Sequence, residues 1–194
     1  MSRSRIDIRN RDQTGTSAVE VLMAITTFAI AFLTLAAMTT TAKSQTKMNA
    51  ERRVALEAAQ EQIEQLKNTP FEAVYRLFDG SAHNDGALQS PGDQFDVEGL
   101  EPSPDDTDGR CGRIILPTRV PPPDGEGNQP PPYLWERFSD VKLGLPADLD
   151  GDGLIDDSPK DGSYMHLPVR VEVRWTGAVG EQSLSVSTWL TPRR

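Results

Sequence analysis

Between Glu20 and Lys43 the chain runs for 22 residues without a charge, VLMAITTFAIAFLTLAAMTTTA. As an α-helix this stretch reaches about 33 Å, against about 30 Å for the hydrocarbon core of a bilayer. It predicts a membrane span over about residues 18–42. A secretory signal is a weaker fit, because its apolar core runs only about 7–15 residues. Small-residue sites for such a signal exist near Ala36-Ala37 and Thr41-Ala42. Glu20 stands at the head of the run. A carboxylate at bilayer centre costs on the order of 2.5–3.5 kcal/mol, less near an interface, so such residues usually have a partner and a role. Charge does not orient the span. Arg3, Arg5, Arg9 and Arg11 precede it, and Lys43, Lys47, Arg52 and Arg53 follow it closely.

The order of features at this end is specific: a short basic leader, Gly15, five residues closing on Glu20, then the uncharged run. It resembles the prepilin class, the type IV pilins and the pseudopilins of type II secretion. The resemblance implies that a membrane-embedded prepilin peptidase cuts between Gly15 and Thr16 and methylates the new amino terminus at Thr16. It makes Glu20 the fifth mature residue, whose carboxylate pairs with the free amino terminus of a neighbouring pilin or pseudopilin subunit. It also implies a leader in the cytoplasm and a head outside the inner membrane, then extraction into a pilus or pseudopilus. The chain departs from the pattern at Thr16, where the family commonly has Phe or another large apolar residue. The stretch 59–71, AQEQIEQLKNTPF, resembles minor subunits more than abundant major ones.

The helix signal continues past the apolar run. From Lys43 to Lys67 there is no Gly or Pro, and Ala, Glu, Gln, Lys and Leu dominate, all good helix formers. Leu56, Ala59, Ile63 and Leu66 recur at spacings of three, four and three, an apolar stripe on one face. Glu51, Arg52, Glu57, Glu61, Glu64 and Lys67 take the other positions. One helix over residues 16–68 follows, with its second half docked on its own head. Thr69 as cap, Pro70 at the first helical position and Glu72 closing a capping box predict a short second helix ending near Phe78.

Residues 69–194 read as the globular head. All 15 Pro and nearly all 15 Gly of the chain lie there. Loops are expected over 79–109 with a short strand near 94–97, and a strand over 110–120. The stretch PPPDGEGNQPPP, residues 121–132, excludes helix and central strand, since Pro lacks the donor. Tyr133, Leu134, Trp135 and Phe138 return the chain to the core, with Trp135 as a core or loop-pinning residue. The clearest strand signal is terminal. Leu167, Val169, Val171, Val173 and Trp175 alternate with polar residues and Pro168, and Leu184, Val186, Thr188 and Leu190 with Ser183, Ser185, Ser187 and Trp189. Gly177-Ala178-Val179-Gly180 makes the turn of a hairpin. The fold class is therefore α+β: a long N-terminal helix packed by its second half on a small C-terminal antiparallel sheet.

One loop carries metal chemistry. Residues 148–157 read DLDGDGLIDD. Asp148, Asp150 and Asp152 fall at positions 1, 3 and 5 of an EF-hand-type loop, Gly153 at 6, the Leu154 carbonyl at 7 and Asp156 at 9. Hard oxygen ligands at alternate positions suit Ca²⁺, and Gly at 6 permits the tight turn. At position 12 stands Pro159 instead of Glu, and no helices flank the loop. Asp157 or Asp161 is left to supply the missing carboxylate. A solvated acidic turn with no ion is the plainer alternative. Bound Ca²⁺ would be structural, ordering the loop ahead of the hairpin.

The net charge of −9 argues against nucleic acid as a partner. Cys111 is the only cysteine, so no intrachain disulfide forms, and it reads as a small buried hydrophobe. His83 and His166 have no Cys or second His nearby to make a zinc set, and no nucleophile elbow or phosphate loop occurs. Nothing points to catalysis. Two functions remain: a minor pilin-like structural subunit, or a single-pass or secreted calcium-binding surface domain that does not polymerise.

Overall fold

The computed structural model describes residues 17–80, 92–106, 109–127, 130–160 and 162–192. Gly15, Thr16, His83 and Asp161 lie outside them. The chain divides into two compact units at Lys43/Ser44.

Among its described residues the first unit is helical. Helix α1, Ala18–Asn68, begins here, and the Ser17 carbonyl accepts the amides of Glu20 (2.9 Å) and Val21 (3.2 Å). The apolar side chains stand exposed, from Val19 and Leu22 through Phe28, Phe32 and Leu33 to Met38. The helix is long and apolar enough to cross a membrane. Its threonines fit such a setting. Thr27 donates its hydroxyl to the Met23 carbonyl (2.8 Å), Thr34 to Ala31 (2.8 Å), Thr39 to Ala36 (2.8 Å) and Thr41 to Ala37 (3.1 Å). Each hydroxyl proton is satisfied inside its own helix, so these polar groups demand no water.

The second unit is the α+β head. The rest of α1 buries Ala55, Ala59, Ile63 and Leu66. The expected stripe holds at Ala59, Ile63 and Leu66 and differs only at its first member: Leu56 is 39% exposed, whereas Ala55, one residue earlier, is fully covered. Methyl-sized side chains at the contact let helix and sheet approach closely, where a Leu would hold them apart. Glu51, expected on the polar face, turns inward to the hairpin instead; its Oε2 accepts the Ala178 amide at 3.2 Å.

Helix α2, Phe71–Phe78, buries Val74, Tyr75 and Phe78, and Phe71 packs against this core, as its spacing predicts. The expected capping box does not form. Pro70 occupies the cap position and makes no side-chain cap bond. Thr69 serves the end of α1 instead: its hydroxyl donates to the Gln65 carbonyl (2.9 Å), and its amide also reaches Gln65 (3.0 Å). The orphan carbonyls of a preceding helix compete for the same hydroxyl, and here they win.

The main sheet has four antiparallel strands in the order β1-β2-β5-β6: Gln94–Phe95, Gly112–Ile115, Leu167–Gly177 and Gly180–Leu190. The hairpin β5–β6 pairs Leu167 with Leu190 at one end and Gly177 with Gly180 at the other, around the two-residue loop Ala178-Val179. Leu167, Val169, Val171, Val173 and Trp175 are all buried, and Leu184, Val186 and Leu190 pack against the same core. The strand expected over 110–120 is two strands. β2 ends at Ile115, and after Leu116-Pro117 the chain makes β3, Thr118–Arg119, in a separate two-stranded sheet with β4, Tyr133–Leu134. Pro117 has no amide to continue the ladder, which forces the break.

Cys111 is buried, with Sγ 3.6 Å from the Leu100 carbonyl. Burial, reinforced by Asp96 and Asp106, raises its thiol above the ordinary range and keeps it unreactive.

Candidate functional site

The acidic loop is organised by its own backbone. Asp148 accepts the amides of Gly151 (2.6 Å) and Gly153 (2.8 Å), one on each carboxylate oxygen. Asp150 Oδ1 accepts from Asp152 (3.3 Å), Asp152 Oδ1 from Leu154 (2.7 Å), and Asp156 Oδ1 from Ser158 (2.8 Å). Gly151 and Gly153 take φ of 78° and 87°, a region L side chains rarely adopt, and so let the chain curl around Asp148. The amides of Gly153 and then Gly151 hold the Asp148 carboxyl below its usual range. The hydroxyl and amide of Ser158 do the same for Asp156.

Two residues outside the Asp pattern complete the cluster. Glu136, on the turn after β4, is fully buried. Its Oε1 accepts the Leu149 amide (2.8 Å) and its Oε2 the Asp156 amide (3.0 Å), tying both ends of the loop to one carboxylate. Glu136, Asp148 and Asp150 bring carboxylate oxygens within 4.8 Å of one another. Lys160, with 4% of its side chain exposed, sends its ammonium into the same cluster. Nζ lies 2.7 Å from Asp150 Oδ2, 3.4 Å from Asp156 Oδ1, and 3.8 Å from both Glu136 Oε2 and Asp152 Oδ2. The Asp150 hydrogen bond, with Glu136 and Asp156 behind it, raises the Lys160 ammonium well above its ordinary range.

Asp157 faces elsewhere. Its Oδ1 accepts the Trp135 indole N–H (2.8 Å) and its Oδ2 pairs with Arg137 (3.0 Å), with Arg119 at 3.6 Å. Arg119 also stacks on the Trp135 ring at 4.6 Å. Trp135 is half-buried and pins this loop. Of the proposed ligands, Asp148 and Asp150 meet in one group with Glu136, and Asp152 and Asp156 border it through Lys160. Leu154 is 65% exposed, its amide spent on Asp152.

Sequence reasoning missed Glu136 and Lys160. Glu136 lies 12 residues before Asp148 among aromatic residues, with no spacing to mark it. Lys160 carried a usable signal: it directly follows Pro159, which stands where a calcium loop has its last carboxylate.

The donor set suits a hard divalent cation. All the converging atoms are carboxylate oxygens, there is no Cys or His among them, and Ca²⁺ takes about 6–8 such oxygens. At the other end of the chain, Glu20 occupies the first turn of α1, where the helix dipole favours a carboxylate. No protein-family model, no curated protein and no solved structure matches the chain.

Proposed function

We propose that this chain is a structural, minor pilin or pseudopilin subunit. It is made as a membrane-held precursor, cut after Gly15 by a prepilin peptidase, and assembled through α1 into a type IV pilus or type II secretion pseudopilus. The observation that carries the reading is the pairing of Glu20 with the bare apolar surface behind it. Side chains from Val19 to Met38 are exposed along the helix, with Phe28 at 75%. A surface of that kind needs lipid or other helices to cover it. A carboxylate at its head needs a cation, and the freed Thr16 amino group of a neighbouring subunit supplies one.

The head contributes a surface outside the membrane. Its loop around Asp148, Asp150 and Glu136 holds a structural Ca²⁺, with Asp152, Asp156 and the Leu154 carbonyl drawn in as further oxygen donors. The metal supplies rigidity there and no chemistry.

The test is intact mass and N-terminal analysis of membrane-extracted protein, in cells with a prepilin peptidase. The subunit reading requires a start at Thr16, an uncut precursor for Gly15→Leu, and for Glu20→Ala a cut chain that fails to enter filaments. A start at Met1 or Ser2, or near Lys43, without sister subunits co-purifying, replaces it with a calcium-binding surface domain that does not polymerise.

A further inference from the structure

The acidic loop faces a cation that the chain itself supplies. The Lys160 ammonium contacts oxygens of Asp150, Asp156, Glu136 and Asp152 between 2.7 and 3.8 Å, while its side chain is nearly inaccessible. Glu136 and Asp150 are also two of the three residues in the closest carboxylate group, the third being Asp148. The ammonium and a metal at that group therefore lean on the same two side chains.

We infer that Lys160 is a tethered competitor for the cation of this loop, and that loading Ca²⁺ drives its ammonium out. This rests on the calcium reading above. Two cations cannot share Glu136 and Asp150 at a few ångströms without strong repulsion. Nor do three carboxylates fill a shell of about 6–8 oxygens, so Ca²⁺ has to recruit Asp152 and Asp156, the other partners of Lys160. The lysine backbone is held: its amide donates to the Leu134 carbonyl (3.2 Å), and its carbonyl accepts from Ser163 (3.1 Å) and Tyr164 (3.2 Å). Displacement would therefore move only the four-carbon stem, past Asp152 and Asp156, whose side chains are 44% exposed and form the open rim. Without metal the ammonium keeps the carboxylates from repelling one another; with metal it is displaced to that rim.

The two states give Lys160 effects of opposite sign. Removing its charge leaves the metal-free loop less stable and the metal site stronger, whereas a lysine that merely supports the fold weakens both. The experiment titrates Ca²⁺ into the full-length chain in detergent, wild type against Lys160→Met, by calorimetry and by thermal melting. In parallel, acetylation of Lys160 by an amine reagent is followed by mass spectrometry with and without Ca²⁺, with the exposed Lys142 as control. Lys160→Met is expected to bind Ca²⁺ about tenfold or more tightly and to melt lower without it. In wild type, Ca²⁺ is expected to raise Lys160 acetylation while Lys142 stays constant. Binding by the variant alone also supports the inference. Equal affinities with unchanged acetylation overturn it and leave the calcium site standing. Absence of binding in both chains removes the calcium site and this inference together. If the variant does not fold, wild-type acetylation decides: unchanged labelling on a chain that binds Ca²⁺ overturns the inference.

Discussion

The ring of Phe95 lies directly over the α-carbon of Gly112, its cross-strand partner between β1 and β2. A β-carbon on Gly112 would meet ring atoms of Phe95 at 2.3 Å. Phe95 joins the core from a two-residue edge strand, and this contact is how it reaches inward. Gly112→Ala is expected to destabilise the head by about 1–3 kcal/mol, the usual cost of overpacking. Phe95→Ala in the same chain should recover part of that loss, because the obstructing ring is gone. Urea midpoints of the single and double variants check this; strictly additive losses would show that the ring is not what Gly112 accommodates.

A second close approach ties α1 to the hairpin. Glu51 accepts the Ala178 amide, and a β-carbon on Gly177 would stand 2.5 Å from the same carboxylate oxygen and 3.1 Å from Trp175 Nε1. Only 12% of the Glu51 side chain is exposed. Glu51→Ala removes one hydrogen bond and should cost about 0.5–1.5 kcal/mol. Gly177→Ala should cost about 1–3 kcal/mol, since the carboxylate has to leave. Combining the two should cost less than their sum, read from the same unfolding midpoints.

These contacts mark where the sequence stopped being readable. Period-two alternation placed Leu167, Val169, Val171, Val173 and Trp175 on one face because each strand there is long and half-buried, and the turn residues fixed the register. The α1 stripe was legible at Ala59, Ile63 and Leu66 but not at its first member. Leu56 outweighs Ala55 on any hydrophobicity scale, yet close helix–sheet packing selects the smaller residue. Thr69 was misread because two helix ends compete for one hydroxyl, and local sequence does not say which end wins. In the acidic loop the Asp spacing was plain. Glu136 was not, since a carboxylate buried by long-range folding leaves no local pattern. Asp157 looked like part of the run, but Trp135, Arg137 and Arg119 claim it from a distance along the chain.

Glu136 offers a sharper test of the loop. Both its oxygens accept backbone amides, from Leu149 and Asp156, and the residue is fully buried. Glu136→Gln keeps the shape but turns an NH₂ group toward one of those donors. It should cost about 1–3 kcal/mol, and Glu136→Leu more, since both amides then lose their partner. Amide exchange at Leu149 and Asp156 should accelerate ahead of the sheet amides in the Gln variant. Uniform acceleration across β5 and β6 would instead make Glu136 a part of the global core.

The same loop sets how stability responds to pH. The folded pKa values of Asp148, Asp156 and Asp157 are lowered, by the Gly153 amide, the Ser158 hydroxyl and the Trp135 indole respectively. A lowered carboxyl stabilises fully above its unfolded value of about 3.9, and that contribution is lost as pH falls through the folded value. Lys160 and Tyr164 shift upward, Lys160 through Asp150, Tyr164 through burial beside the Phe71 carbonyl it donates to at 2.7 Å. Their contributions are complete below about 10, the range of their unfolded values, and are lost only as pH rises through the folded ones. The raised Cys111 thiol adds a loss that begins above about 8.5, its unfolded value, so urea midpoints of the full-length chain should hold level from about pH 5 to 8 and fall below about pH 4. Asp148→Asn should lower the plateau and flatten the acid limb, because a neutral amide no longer gains from the Gly151 and Gly153 donors on ionisation. An acid limb equally steep in that variant would mean that the proton uptake occurs at other carboxylates, outside this turn.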